Sequence, residues 1–515
     1  MSGDPMVSPL TPLDFLARSA RVYPEATAVI EGDRRFTYAQ FAERVDRLAA
    51  ALQGLGVGRG DRVAVLAPNG PMALEAHFGP MRIGALVVML NTRLAPDELC
   101  WIVNHCGAKV LLADPELRGL VEKAPARHIV SDYEALLAGA GPLAAPAPVE
   151  DENGPIAINY TSGTTGFPKG VMFTHRGAWV NAIGEIVEHG LSNRSVYLWT
   201  LPMFHCNGWC FTWAITAAGG RHICMRRPDP AEALRLIESE GVTHLCGAPV
   251  VVASLAQHCS ALGVRFTRPL KIVTAGAPPS PAVIRAAEEA GAEIAHAYGL
   301  TETYGPHTIC AWKPEWAALP ADERAQIKAR QGVPYLIAGT DLRVVDEQMR
   351  DVPADGATMG EVLMRGNNVM LGYYENPEAT AECFAGGWFH SGDLAVVHPD
   401  GYIELRDRKK DIVISGGENI SSIEVEKVLA DHPAVAEVAV VAAPDAQWGE
   451  VPKAYVGLKP GASLTAEELI AWCRGRMAHF KCPKHVEFGP LPRTATGKVR
   501  KNELRARTRE MKATQ

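Results

Sequence analysis

The sequence predicts an α/β protein. It has a large N-terminal domain of parallel-sheet α/β layers, a small β subdomain within it, and a small C-terminal α/β domain. Three observations predict this. Between residues 63 and 297, short apolar runs alternate with helix-patterned stretches, the rhythm of strands and crossover helices. Between 332 and 405 the helical pattern gives way to short β-rich pieces with turns at Ala354-Asp355-Gly356 and Pro399-Asp400-Gly401. A charged knot, Asp407-Arg408-Lys409-Lys410-Asp411, then precedes a fresh α/β pattern. The boundaries expected are 1–408 for the N-terminal domain, with its β subdomain at about 332–405, and 409–515 for the C-terminal domain.

The elements follow in order. Residues 12–60 read as a helix, a short hairpin and a second helix. Helical spacing covers 15–20 and 38–52, and Gly54, Gly56, Gly58 and Gly60 end the second helix. Strands at 63–67, 85–90 and 110–113 then alternate with helices at 72–83 and 96–105. An Ala-, Gly- and Pro-rich connection at 136–150 leads to a buried strand at 155–159. Beyond residue 170, helices at 176–189 and 229–240 alternate with strands at 195–201, 221–225, 243–247, 270–274 and 293–297, and Asp229 is placed to cap its helix. An apolar, helix-like stretch covers 205–218. Ligands of such sheets gather at the carboxyl ends of strands. The loops at 160–170, 276–279 and 298–303 fall there. In the C-terminal segment helices fall at 422–429 and 466–477, and strands at 435–442 and 454–458.

The chain has 515 residues, room for two to four structural units, and 47% apolar and 21% charged residues, as a soluble globular chain has. A net charge of -7 argues against nucleic acid as a partner, which needs a basic face. Eleven cysteines without a C-x-x-C pair read as free thiols of a reducing cytoplasm. The N-terminus carries no signal-peptide pattern, and the apolar run at 83–90 is too short to cross a bilayer. The oligomeric state is left open, a homodimer among the options.

Residues 160–170 read Y-T-S-G-T-T-G-F-P-K-G straight after the apolar strand. Gly163 and Gly166 let backbone N–H groups turn inward. Thr161, Ser162, Thr164 and Thr165 add donors, and Lys169 adds a fixed positive charge, a composition suited to a polyphosphate. The loop is not a Walker A motif, because Lys169 is followed by Gly170 rather than Ser or Thr.

Four more motifs follow in order: Tyr298-Gly-Leu-Thr-Glu302, Trp388-Phe-His-Ser-Gly-Asp393, Asp407-Arg-Lys-Lys-Asp411 and Pro492-Arg-Thr-Ala-Thr-Gly-Lys498. Singly each has a plain alternative. Asp393 suits a turn, Glu302 a helix cap and Lys498 a solvated basic tail. Together, over about residues 12–504, the series resembles the adenylate-forming superfamily of acyl-CoA synthetases, luciferases and peptide-synthetase adenylation domains. The resemblance implies an ATP-dependent carboxylic acid:CoA ligase that forms an acyl-adenylate, releases pyrophosphate and then AMP, and serves fatty acid metabolism.

It also implies roles. Thr161, Ser162, Gly163, Thr164, Thr165 and Lys169 would hold phosphates. Gly276, Ala277, Pro278, His296, Tyr298 and Gly299 would frame the adenosine, with Asp393 and Arg408 at the ribose. Glu302 would hold Mg2+, and Thr301 would sit at the α-phosphate. Lys498 would bridge the carboxylate and the α-phosphate, and His205 joins these catalytic residues. Ser415, Gly416, Gly417 and Glu418 would line the channel for coenzyme A, and Lys410 would be the hinge on which a mobile C-terminal domain swings. Three positions depart from the commoner pattern: Ala275, His296 and Ser391.

The stretch Pro202-Met-Phe-His-Cys-Asn-Gly-Trp-Cys-Phe-Thr-Trp213 is similar to that of 3-methylmercaptopropionyl-CoA ligases and plant peroxisomal acyl-activating enzymes. This implies a short- to medium-chain or aryl acid, with His205, Trp209 and Tyr298 lining the acyl pocket. His205 and Trp209, four apart, would share one face if helical. Three alternatives stay open: a ligase that loads a carrier protein, an enzyme that only transfers a supplied acyl-adenylate to CoA, and a non-catalytic nucleotide-binding protein. Light-producing relatives share the same motifs.

Overall fold

A computed structural model describes residues 8–161, 168–335, 341–416, 418–445, 447–493 and 499–510. The chain divides into two compact units. One holds residues up to 341 with 364–389, and the other holds 342–363 with everything from 390 onward.

In the first unit, a nine-stranded sheet runs in the order Val333–Pro334, Gly305–Ile309, Ala292–Leu300, Leu270–Thr274, His244–Gly247, Val196–Trp199, Arg221–Cys224, Thr27–Glu31, Arg34–Thr37. A seven-stranded sheet runs Gly372–Tyr373, Gly170–Thr174, Pro155–Tyr160, Leu86–Met89, Arg62–Leu66, Val110–Ala113, His128–Val130. The central pairs are parallel, as the alternation predicts. The sheets are mixed, however, because hairpins add antiparallel neighbours at 27–37, 155–174 and 292–309. Helices start where polar caps stand. The Thr174 hydroxyl accepts from Gly177 N–H at the start of His175–His189, and the Asp229 carboxylate accepts from Glu232 N–H at the start of Pro230–Glu240.

Strand alternation splits the nine-stranded sheet's residues between two faces. Leu198, Leu245, Ile272 and Ile294 are buried with Leu236, Ile237, Val252, Leu255 and Ile284 of the covering helices. Tyr197, Trp199 and Cys246 therefore point to the other face. There Tyr197 stacks on Phe211 of helix Phe211–Ala218 with ring centres 5.1 Å apart.

Two expected helices break. The stretch 72–83 becomes Pro71–Ala76 and Gly79–Arg82, interrupted at His77-Phe78 just before Pro80. The stretch 205–218 is helical only from Phe211. Residues 206–210 form a turn whose φ angles are all positive: 45° at Cys206, 45° at Asn207, 61° at Gly208, 51° at Trp209 and 64° at Cys210. His205 and Trp209 therefore do not share a right-handed helix face.

The second unit holds most of a four-stranded sheet, Asp341–Val345, Gly360–Arg365, Phe389–Val397 and Ile403–Arg408. It also holds a sheet of Glu418–Ile420, Val413–Ser415, Gly449–Leu458, Val435–Asp445 and His485–Phe488. Hydrogen bonds also join this small sheet to the chain beyond residue 408. Ser421 Oγ donates to the Arg406 carbonyl at 2.5 Å, and the Ser422 N–H donates to the Asp407 carboxylate at 2.5 Å, so the small sheet packs with the C-terminal segment.

Candidate active site

The phosphate loop leaves and re-enters one hairpin. Strand Pro155–Tyr160 pairs with Gly170–Thr174, and the Thr161 N–H donates to the Lys169 carbonyl at 3.0 Å, closing the neck. Ser162, Gly163, Thr164 and Thr165 lie outside the described residues, as do Gly417 and Lys498. Tyr373 pairs with Val171 across this edge. Its hydroxyl donates to Glu302 Oε1 at 2.9 Å, and Lys169 Nζ sits 4.8 Å from its ring centre. Burial, and next the neighbouring Glu302 charge, push the Tyr373 phenol far above its ordinary range, so it stays a donor.

The Tyr298-to-Pro306 motif is a tight return. Tyr298 to Leu300 belong to strand Ala292–Leu300 rather than to a loop, and Thr301–Thr303 forms one 3-10 turn. The Thr303 hydroxyl ties the turn, accepting from Leu300 N–H at 2.9 Å and facing the Gly305 carbonyl at 2.8 Å. A Cβ at Gly299 would lie 1.8 Å from the Gly305 oxygen, so only glycine fits. Tyr304 is left-handed (φ 61°) and its hydroxyl accepts from Thr174 N–H at 2.5 Å. The motif is thus fastened to the phosphate-loop hairpin as well as to its own strand.

The left-handed turn joins the same place. Cys206 Sγ lies 3.5 Å from Thr301 Oγ1, and a Cβ on Gly305 would come within 3.0 Å of Trp209 Cα. Asn207 N–H donates to Asn159 Oδ1 at 3.3 Å, and the Asn159 amide donates back to Asn207 Oδ1. A left-handed residue other than glycine costs roughly 1–2 kcal/mol, so four of them need such anchors. Trp209 is buried.

Gly276 has φ 88° and Ala277 is exposed beyond strand Leu270–Thr274, whereas the ring of His296 is fully buried. Burial holds His296 at about 4, against the opposing pull of backbone groups at 328–330. It is a neutral ring packed toward that segment. Sequence patterning missed Asn159, Asn207 and Tyr373. Tyr373 is signalled only by an aromatic pair after Leu371-Gly372.

In the second unit, Asp393 faces Arg408 across antiparallel strands, with Oδ1 3.3 Å from Arg408 Nε. Ser391 Oγ accepts from Asp393 N–H at 3.1 Å and donates to the Val362 carbonyl at 2.6 Å, the work of a hydroxyl that Ser does without the Thr methyl. Ser415 and Glu418 flank a hairpin tip, where the Gly416 N–H donates to the Trp448 carbonyl at 2.8 Å. Lys410 stands in the turn after Ile403–Arg408, with its side chain exposed. Partial desolvation, then Arg408 and Arg505, lower its ammonium to about 8 despite Asp393.

Residues 16–374 match the AMP-binding enzyme family, and 424–498 match the AMP-binding enzyme C-terminal domain. The chain belongs to the AMP-binding enzyme family. It is 46% identical over 520 residues to 4-hydroxybutyrate–CoA ligase 2 of Metallosphaera sedula, covering 97% of this chain and 94% of that protein. It is 47% identical to an acetate–CoA ligase of Humulus lupulus, covering 98% and 95%. The solved anthranilate CoA ligase in complex with anthranoyl-AMP is 28% identical with a TM-score of 0.86, covering 97% of this chain and 98% of that one.

The chain is an AMP-forming acyl-CoA synthetase, a carboxylic acid:CoA ligase acting through an acyl-adenylate. ATP, Mg2+ and CoA serve it, and its acid substrate is a small carboxylic acid. Among the described residues no helix is long and apolar enough to cross a membrane, and no group of three acidic, His or Cys side chains could cage a metal. Mg2+ takes one or two carboxylates and completes its shell with phosphate oxygens and water. The Tyr373-oriented Glu302 carboxylate fits it.

Proposed function

We propose that this ligase activates short- to medium-chain or aryl carboxylic acids, in the branch of 3-methylmercaptopropionyl-CoA ligases and plant acyl-activating enzymes. One observation carries the reading. The left-handed turn brings the buried indole of Trp209 against Gly305 while Cys206 touches Thr301, a bulky wall next to the adenylating residues that limits acyl length. The small acids named for the two sequence relatives and the aryl acid of the solved structure support it.

Roles follow for the residues. Thr161 and Lys169 bind phosphate together with the Ser162 to Thr165 backbone, and Thr301 positions the α-phosphate. Glu302 holds Mg2+, which neutralises phosphate charge. Gly276, Ala277, Pro278, Tyr298 and Gly299 frame the adenosine, and Asp393, paired with Arg408, accepts from the ribose. The acid's oxygen attacks the α-phosphorus, pyrophosphate leaves, and Lys498 screens the two anions from one another. In the second step the CoA thiolate attacks the acyl carbonyl and AMP leaves. His205 borders that thiol's approach, with Ser415, Gly416, Gly417 and Glu418 along the pantetheine. His296 serves the adenine side only through its strand, since its own ring is buried. A cytoplasmic location fits the eleven free thiols.

Pyrophosphate release with a panel of acids, with and without CoA, tests the reading. Release with acids of short or aryl type, and acyl-CoA only when CoA is added, is the expected result. A preference for long-chain acids would refute the substrate class, and pyrophosphate without acyl-CoA would point to a carrier protein.

A further inference from the structure

Strand Pro155–Tyr160 ends where the phosphate loop begins, and the phenol of its last residue is tied to a helix outside the hairpin. Helix Pro96–Cys106 buries Leu99, Ile102, Val103 and Cys106 with Val88, Leu111 and Ile158 of the seven-stranded sheet. Both of its ends are closed. The Glu98 carboxylate accepts from the Ala95 N–H at 3.0 Å, Gly107 ends the helix in the left-handed conformation (φ 58°), and the Arg62 guanidinium donates to the Cys106 carbonyl at 2.5 Å. The helix is thus a fixed platform. Trp101 and His105, four residues apart, share one face of it. Their rings stack with centres 4.7 Å apart, and His105 Nδ1 lies 2.7 Å from the Tyr160 hydroxyl oxygen, a hydrogen bond spanning 55 positions of chain.

The Tyr160 ring stands across the neck of the loop. A Cβ on Gly170, the first residue of the returning strand, would lie 3.1 Å from Tyr160 Cζ and 3.3 Å from Tyr374 Cβ. The Tyr374 N–H donates to the Gly170 carbonyl at 2.7 Å, and the Tyr374 ring meets that of His105 edge-on at 5.8 Å. Burial raises the Tyr160 phenol far above its ordinary range, so the hydroxyl keeps its proton. One hydrogen bond to Tyr160 therefore acts on both stems. It reaches the outgoing stem through the backbone of Tyr160, and the returning stem, which carries Lys169, through the ring contact with Gly170. Packing alone asks for no nitrogen here, since a phenyl ring would fill the same room beside Trp101 and Tyr374.

We propose that His105 is a positioning residue for adenylation: its hydrogen bond to Tyr160 sets the neck of the phosphate loop and with it the place of Lys169. The inference rests on the phosphate-binding reading of residues 161–169 given above. It concerns the half-reaction that handles the triphosphate. Thioester formation from a finished acyl-adenylate has no pyrophosphate to hold.

The test assays the full chain in its two halves, with the best acid of the panel above and its synthetic acyl-adenylate. One half is kcat/KM for MgATP by pyrophosphate release, and the other is thioester formation from the acyl-adenylate and CoA. His105→Phe keeps a ring for Trp101 and loses the nitrogen. His105→Asn puts an amide atom on the branch of Cγ where Nδ1 stood and loses the ring. Tyr160→Phe removes one oxygen. His105→Phe and Tyr160→Phe should each lower kcat/KM for MgATP about fivefold, chiefly through KM, the factor one neutral hydrogen bond commands. The double variant should fall no further than either single one, because both delete the same bond. His105→Asn should recover to within about twofold of the wild type, and thioester formation should stay within about twofold throughout. Should His105→Phe fail to fold, Tyr160→Phe decides alone. A phenylalanine variant with the wild-type MgATP value overturns the inference. So does His105→Asn no better than His105→Phe, or a loss shared equally by the two half-reactions, since either marks a packing role. Lys169→Ala keeps the two readings apart. If it leaves KM for MgATP unmoved, the phosphate-loop reading falls and the inference with it. If it raises KM while the phenylalanine variants do not, the loop reading stands and the His105 role alone is lost.

Discussion

The phenol of Tyr373 donates to Glu302 Oε1 at 2.9 Å while the Lys169 ammonium lies 4.8 Å from the centre of the same ring. One side chain thus aims the carboxylate proposed for Mg2+ and shelters the cation proposed for phosphate. Tyr373→Phe keeps the ring under Lys169 and removes the donor. A hydrogen bond to a charged group is worth about 1.5–3 kcal/mol, and solvent access returns part of it. The expected outcome is a roughly tenfold fall in kcat/KM for ATP, with the Mg2+ requirement moved to higher concentration. Pyrophosphate release across a Mg2+ titration reads this, and an unchanged Mg2+ profile would sink the aiming role.

Gly299 tests the tight return. An added Cβ would meet the Gly305 oxygen at 1.8 Å, with the Thr303 hydroxyl next at 2.9 Å, and neither backbone can retreat while Gly305 abuts Trp209. Overpacking of this kind costs roughly 1–3 kcal/mol. Gly299→Ala should lower the thermal midpoint by several degrees and abolish adenylation even where the protein still folds. Normal adenylation by a folded Gly299→Ala protein would show that the return can open without loss.

Much of this was legible in the sequence because it is local. The alternating runs gave the strands expected at 63–67, 110–113 and 270–274 nearly to the residue, the first being Arg62–Leu66, and Asp229 caps its helix as its place before the apolar pattern foretold. What sequence could not show is set by long-range packing. Residues 205–218 carry a helical pattern, yet Gly208 meets Trp199 at 2.7 Å from its notional Cβ, and Asn207 is held by Asn159 from 48 positions away, so tertiary anchors override local propensity. Tyr373 and Glu302 are likewise 71 residues apart. His296 reads as a ligand by its place before Tyr298, and the burial of its ring is a feature of packing that the sequence does not show.

The left-handed turn separates strain from contact at Asn207. Asn207→Gly relaxes the φ of 45° but deletes the exchange with Asn159. Asn207→Ala deletes the exchange and keeps the strain. The alanine variant should therefore be less stable than the glycine variant by about 1 kcal/mol, a left-handed penalty for a residue with a Cβ. Both should raise KM for the acid, because Trp209 follows two residues later. Chemical denaturation of the two variants side by side measures the gap, and equal stabilities would mean that the turn unwinds once the Asn pair is gone.

Lys410 offers a pH signature. Partial desolvation, with Arg408 and Arg505 nearby, brings its ammonium to about 8 in the folded chain, against roughly 10.4 for an unfolded lysine. Below about pH 8 both states hold the proton, and folding carries the full penalty of a crowded charge. Between about pH 8 and 10.4 the unfolded chain binds more protons than the folded one, so this group's contribution to stability improves as pH rises. Lys410→Met removes the charge. It should be more stable than the wild type near neutral pH and should lack the alkaline gain, as thermal unfolding of the full chain at a series of pH values would record. A wild-type midpoint that falls no less steeply than that of Lys410→Met above about pH 8 would refute the crowded-charge account. The hinge proposed for the same residue is a separate matter with a separate readout. Lys410→Pro fixes a backbone torsion, so adenylation should persist while thioester formation falls, and equal losses in the two half-reactions would take the pivot away from Lys410.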